Sequence, residues 1–223
     1  MSAAAGAERA EGLVEGRSVA RRGRPRSEEV RARIFQATIE LLEERGFKEL
    51  TIEAIAERAG ASKVTLYRWW PGKAALATDA FLGVAGPLAP FGHTDSALVD
   101  LREQMVSQMR VLAGRWGKII AGLIAESVFD PEVREAMRTR WLEPRRAEGR
   151  KVVERALVDG ELRAGTDPEV VLDALYAPLY WRLLLGHAPL HAAFARQVWS
   201  AALLGIATDA ARARLERPAK AKR

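Results

Sequence analysis

Apolar residues recur along this chain at helical spacing, and alternating β-branched stretches are nearly absent. The pattern predicts an all-α protein of about nine helices. Ser27 with Glu28 and Glu29 reads as a helix start, because a hydroxyl accepts from first-turn amides and acids suit that end of the dipole. Val30, Ile34, Ala37, Leu41 and Leu42 form its apolar stripe, and Gly46 stops it. Thr51 caps a short second helix with Ile52, Ile55, Ala56 and Ala59 inward, and Gly60 breaks it. Ser62 caps a third, Lys63 to Trp70, ended by Pro71. A fourth starts near Lys73 and turns Leu76, Ala80, Phe81 and Val84 inward.

The loop Gly86 to Thr94 holds Pro87, Pro90 and Gly92 and is the best domain boundary by composition. Asp95 opens a helix with Leu98, Leu101, Met105, Met109 and Leu112 inward, and Trp116 to Val128 forms another. Asp130-Pro131-Glu132 and Asp167-Pro168-Glu169 are cap-plus-proline starts. Pro144 should kink the first of these helices and Pro178 the second, with Gly160 and Gly186 as their ends. Pro189 opens a last helix reaching about Ala211.

Composition narrows the classes. The 223 residues suit one large or two small domains with a sizeable core. Cysteine is absent, which excludes disulfides, thiolate metal sites and a cysteine nucleophile. No apolar run of about 18 residues predicts a membrane span, and Met1 to Glu15 lacks a signal-peptide core. A soluble cytoplasmic protein is expected, without membrane partner. The net charge of +6 does not by itself mark a nucleic-acid binder, but its distribution matters. Arg17, Arg21, Arg22, Arg24 and Arg26 cluster without an acid, and residues 212–223 form a basic tail. His93, His187 and His191 are the three histidines, and Pro189 spoils the spacing of the last two as helical metal ligands. No Glu-x-x-His, phosphate loop or credible triad occurs, so neither an enzyme nor a cofactor is expected.

The informative stretch is Thr51 to Leu76. Two short helices joined through Gly60 make a helix-turn-helix. At about 100° per residue, Leu66 and Trp70 share one face, and Val64 and Arg68 point nearly opposite, flanked by Thr65 and Tyr67. That outward face suits a major groove. Lys63 can donate to guanine, Val64 and the Thr65 methyl can touch thymine methyls, and Tyr67 and Arg68 can reach phosphates. Thr51, Ser62 and Lys73 stand at helix starts where phosphate is also welcome. Trp69 either donates its indole N–H to phosphate or packs.

These residues resemble the DNA-binding domain of the TetR/AcrR family of transcriptional regulators. The family pattern reads here Tyr67, Trp69, Trp70, Lys73 and Leu76, with Ala56 and Gly60 at the turn. Two tryptophans replace the commoner His or Tyr and Phe. More weakly, Asp130-Pro131-Glu132, Pro144-Arg145-Arg146, Gly160-Glu161-Leu162, Asp167-Pro168-Glu169 and Tyr180-Trp181-Arg182-Leu183-Leu184 are similar to one C-terminal domain type of that family. The resemblance implies a basic arm over 1–26, a DNA-binding domain over 27–75, an effector-binding and dimerisation domain over 76–211, and a basic tail over 212–223. It implies a homodimer through the last two helices. Val171, Leu175, Leu179, Leu183, Phe194, Val198 and Leu203 suit that interface or the monomer's interior.

It also implies a small-molecule cavity. Candidate lining residues are Met105, Met109, Leu112, Trp116, Ile120, Leu123, Met137, Trp141, Tyr176 and Tyr180, which equally suit a core. Arg182 and Glu126 interrupt apolar runs. They either pair, or Arg182 binds an acidic effector. Arg22-Gly23-Arg24-Pro25 resembles the core of an AT-hook, which would lie extended in an A·T-rich minor groove; a merely cationic arm is the other reading. The expected function is a homodimeric repressor that a small molecule releases from a pseudo-palindromic double-stranded DNA operator. The alternative is an architectural DNA-binding protein without ligand control. Arg (28) far exceeds Lys (7), which suggests a GC-rich bacterial genome. Association with the nucleoid is expected when DNA is bound.

Overall fold

Helix α1 (Arg24–Arg45) begins three residues before Ser27, with Pro25 in its first turn, where a missing N–H is harmless. The structure, a computed structural model, describes residues 24–206 and 208–216. Arg22 and the rest of the arm before Arg24 lie outside the described residues, as does the tail from 217. Arg24 and Pro25 therefore stand in a helical turn and not in the extended conformation that the AT-hook reading needs.

The α1 helix stops at Gly46, whose φ of 74° is left-handed and free of cost for glycine. Helices α2 (Ile52–Ala59) and α3 (Lys63–Trp69) follow. Both predicted caps form: Thr51 Oγ1 accepts from the Ala54 N–H and Ser62 Oγ from the Thr65 N–H, each at 3.1 Å. Between them Gly60 is left-handed, and the Gly60 and Ala61 amides turn back onto the carbonyls of Glu57 and Ala56. This closure fixes the angle between α2 and α3. Helix α4 (Lys73–Ala85) crosses α1 closely. A Cβ on Gly83 would meet Phe35 ring carbons at 2.5 and 2.7 Å, so glycine permits the approach.

A 3-10 turn (Gly86–Leu88) and a loop lead to α5 (Ala97–Ala113). Ser96 caps α5 instead of Asp95; its Oγ accepts from the Val99 N–H at 3.3 Å. Helix α6 (Arg115–Phe129) then turns back, and Asp130 caps α7 (Pro131–Ala136). A π-helical stretch, Met137–Leu142, leads into α8 (Glu143–Val158). Sequence suggested one helix kinked at Pro144. The chain widens before the proline, and the Glu143 N–H reaches the carbonyl of Arg138, five residues back. A proline has no N–H for an α-helical bond and its ring clashes with the carbonyl four residues earlier, so a wider turn relieves the conflict.

Helix α9 (Pro168–Leu185) starts at the predicted Asp167 cap, continues through Pro178 and ends at left-handed Gly186. The predicted last helix divides into α10 (Ala192–Ile206) and α11 (Asp209–Glu216). Thr208 stands at the break: its N–H donates to the Glu161 carbonyl and its hydroxyl to that of Gly160. Residues 212–216 are thus helical and not tail. These two divisions turn nine predicted helices into eleven α-helices among the described residues, with no β-strand among them. No described helix is long and apolar enough to cross a membrane.

The core is continuous. Ile34, Ile55 and Leu66 join through Leu76 and Ala80 of α4 to Leu101, Met105, Ile120 and Leu175. Two ion pairs reinforce the junction: Arg115 of α6 grips Glu43 of α1 through two bonds (2.7 and 2.8 Å), and Arg140 donates to Asp79 of α4 at 2.7 Å. The loop before α5 hangs on buried Asp100, whose two oxygens each accept from the Thr94 N–H at 3.0 Å while Arg155 donates from the other side. Burial pushes the Asp100 carboxyl up, but the hydrogen bonds from Arg155 and Thr94 outweigh it and the net shift is downward. A lowered carboxyl stabilises the fold above its unfolded value and loses that contribution as pH falls through the folded one. Hydrogen exchange at the Thr94 amide is therefore expected to accelerate below the ordinary carboxylate range, beyond the intrinsic pH trend, and to stay protected at neutral pH.

Candidate nucleic-acid interface and effector cavity

Helix α3 is held by two anchors. Leu66 is 0% exposed and Trp70, at its C-terminal cap, 3%. The Trp70 ring lies 5.7 Å from Phe35, and its Nε1–H donates to Asp79 Oδ2 at 2.8 Å. The opposite face stands in solvent: Val64 is 78% exposed, Tyr67 55%, and Lys63 and Arg68 are exposed beside them. A large aliphatic and an aromatic side chain projecting together from a seven-residue helix is unusual for a purely solvated surface.

The other predicted DNA contacts sort by geometry. Thr51 and Ser62 are exposed and serve as caps, and half-buried Thr65 shares a 2.9 Å hydroxyl contact with Ser62. Lys63 Nζ lies 3.3 Å from Glu53 Oε1; a pair this exposed adds little and leaves the lysine available. Trp69 packs edge-on against Trp70 (5.5 Å, 79°), with the Arg68 guanidinium 5.7 Å from its ring. Lys73 turns inward. Its ammonium donates to the carbonyls of Phe47 and Lys48, both at 3.3 Å, and lies 4.6 Å from the Phe47 ring. It ties the start of α4 to the chain between α1 and α2.

The second feature is a partly enclosed cavity of about 80 Å³ between α5, α8 and α9. Phe91, Trp141, Tyr176, Tyr180, Gln108 and Arg145 line it, and a wider cleft shares Trp141, Tyr176 and Tyr180 and adds Met137. Trp141 meets Tyr180 edge-on at 5.8 Å. Of the predicted lining residues, Trp141, Tyr176 and Tyr180 come together here. Met105, Met109, Leu112, Ile120 and Leu123 do not line it; each is almost fully buried in the core. Trp116 lies in a separate surface cleft beneath the Arg115 guanidinium. Arg182 stacks on the Phe194 ring, 3.3 Å from its centroid, and donates to the Pro189 carbonyl at 3.1 Å. Among the described residues no ion pair joins it to Glu126; its guanidinium is engaged by Phe194 and the Pro189 carbonyl instead.

Sequence reasoning missed the cavity's polar residues. Tyr176 donates to buried Gln104, which donates onward to the Ala89 carbonyl at 3.1 Å. Gln108 donates to the Tyr180 oxygen at 3.2 Å. Burial pushes both phenols well above the ordinary tyrosine value, so both stay neutral. Two glutamines four apart, beside the Met105–Met109 stripe, were the available signal.

A short helix with an exposed apolar-basic face, set by a tight turn and joined to a helical body with its own cavity, defines a helix-turn-helix regulator. Comparison with known proteins agrees. Residues 34–80 match the family model of bacterial regulatory proteins of the tetR family, and residues 92–202 match the tetracyclin repressor-like C-terminal domain. The HTH-type transcriptional regulator YdeS of Bacillus subtilis is 36% identical over 86% of this chain and 96% of its own length. The DNA-binding transcriptional repressor TetR of Mycobacteroides abscessus is 27% identical over 86% of this chain and 98% of its own. Among solved structures, the TetR family transcription regulator SCO0332 superposes with a TM-score of 0.69 at 32% identity, covering 81% of this chain and all of that one. The chain belongs to the TetR family of helix-turn-helix transcriptional regulators.

Proposed function

We propose that this protein is a homodimeric repressor that leaves a pseudo-palindromic operator when a small molecule occupies the cavity. The observation that carries the reading is the outward face of α3, with Val64, Tyr67, Lys63 and Arg68 exposed around a helix anchored by Leu66 and Trp70. Lys63 and Val64 would read base edges, and Tyr67 and Arg68 would hold phosphates, with Ser62 and Thr51 at the margin. Two copies would place their α3 helices in successive major grooves, roughly 34–36 Å or a multiple apart.

The exposed stripe of α9 supports dimerisation. Val170, Ala174, Ala177, Trp181, Leu184 and Leu185 fall within about 60° of one line along the helix and all are exposed. This is the face opposite to the one read from the sequence: Val171, Leu175 and Leu179 are buried in the monomer, as are Phe194 and Leu203 of α10. A half-turn separates the two stripes, and both are apolar. Trp181→Glu is expected to weaken the dimer by roughly 2 kcal/mol or more, since buried tryptophans dominate such interfaces. Light scattering would then show monomer at micromolar concentration with native helicity. A wild-type dimer would place the interface elsewhere.

Release would be a shift of population, and a ligand produces one only by preferring the released state. Trp141 of the cavity wall follows Arg140, which holds Asp79, which holds Trp70 at the end of α3. Footprinting the DNA upstream of the protein's own gene, with and without metabolite extract, tests the reading. Two symmetric protected half-sites that disappear with extract support it. Protection without symmetry or ligand response would instead fit the architectural alternative.

A further inference from the structure

We propose that the cavity takes a compact planar aromatic carboxylate, its ring against Phe91 and Trp141 and its anion on Arg145 and the Tyr180 hydroxyl. This rests on the effector reading above and specifies its ligand. The walls come first. Phe91, Trp141, Tyr176 and Tyr180 give the cavity flat aromatic sides, which favour a flat ring.

The charge comes next. Two arginines line the cavity, and they differ. Arg146 is already neutralised: it holds Glu169 and, at 2.6 Å, Asp173. Arg145 stacks on Phe91 (5.2 Å) and donates to the Ala89 carbonyl at 2.6 Å. Among the described residues its one carboxylate partner is exposed Glu148, at 3.5 Å. A guanidinium has five N–H donors, so Arg145 keeps both charge and donors in hand. Arg145, Tyr176 and Tyr180 line the same cavity, and the Arg145 charge opposes the effect of burial on both phenols.

The hydroxyls complete the pattern. The Tyr176 proton is committed to Gln104. Tyr180 accepts from Gln108, and its own proton has no acceptor among the described residues. The open polar groups are thus a cation, an O–H donor and the remainder of the Gln108 amide, and the charge among them is positive. They complement a carboxylate, oppose an ammonium, and gain less from a neutral amide.

Calorimetric titration of the full-length protein with benzoate and its neutral isostere benzamide, single-ring probes matched to a small cavity, tests this. The carboxylate is expected to bind at least about tenfold tighter, as a charge-assisted pair requires. Arg145→Met should abolish the difference, and Arg145→Lys should restore part of it. Tyr180→Phe, which keeps the ring, should weaken benzoate several-fold and leave benzamide unchanged. Equal binding of the two probes, binding of neither, or a preference that survives Arg145→Met overturns the ligand class. Footprinting without ligand separates the failures: intact protection with no carboxylate preference removes only this inference, whereas absent protection removes the regulator reading itself.

Discussion

Alanine at Lys63 or at Tyr67 is expected to lower operator affinity by roughly tenfold each, from the loss of about 1–3 kcal/mol per contact to a base or its phosphate. Both side chains are exposed, so the melting temperature should hardly move. The two variants should also differ from each other. Lys63→Ala removes a charge and should reduce the salt dependence of binding, whereas Tyr67→Ala should leave that slope nearly intact. Leu66→Ala is the contrast, because it empties a fully buried position and should cost about 2–5 kcal/mol of stability. Gel shifts at matched salt check the set. Wild-type affinity for both exposed-residue variants would mean that the outward face of α3 does not meet DNA.

The second large effect concerns Asp79. One carboxylate oxygen accepts from both the Trp70 indole (2.8 Å) and Arg140 (2.7 Å). It therefore joins the end of α3, through α4, to the π-helical stretch on the cavity wall. Asp79→Ala leaves two donors unpaired and is expected to cost about 1–3 kcal/mol of stability and to weaken operator binding. Arg140→Met is more selective. It cuts the link to the cavity and leaves the Trp70–Asp79 bond in place, so DNA binding should persist while ligand-driven release fails. If Arg140→Met releases the operator at the wild-type ligand concentration, coupling does not run through Asp79.

Much of this is legible in the chain. Thr51, Ser62, Asp130 and Asp167 cap the helices that their positions predict, because capping is decided within three residues. The buried stripes of α1, α2 and α5 follow from period alone. What the chain hides depends on neighbours distant in sequence. The two faces of α9 are both apolar, so sequence cannot tell which packs inward. The division between α10 and α11 depends on Thr208 reaching the Gly160 turn. Met105 and Met109 suit cavity and core equally well, and their partners across the bundle make them core. Arg145 stands in the Pro144-Arg145-Arg146 motif, yet its pairing with exposed Glu148 alone among the described residues depends on how α8 meets α9, where Arg146 takes Glu169 and Asp173. Lys73 suggests a phosphate ligand because it starts a helix; its tie to Phe47 and Lys48 crosses 25 residues of chain.

Selection of bound sequences from a pool of random duplex DNA measures the central claim and needs no operator in hand. An outward α3 on each half of a symmetric dimer predicts an enriched inverted repeat, with half-site centres about one helical turn or a multiple apart. Lys63→Ala should relax the motif at the base it reads, and Tyr67→Ala should lower enrichment evenly across the motif. A pool that stays unenriched, or a single asymmetric motif indifferent to both substitutions, would contradict the account.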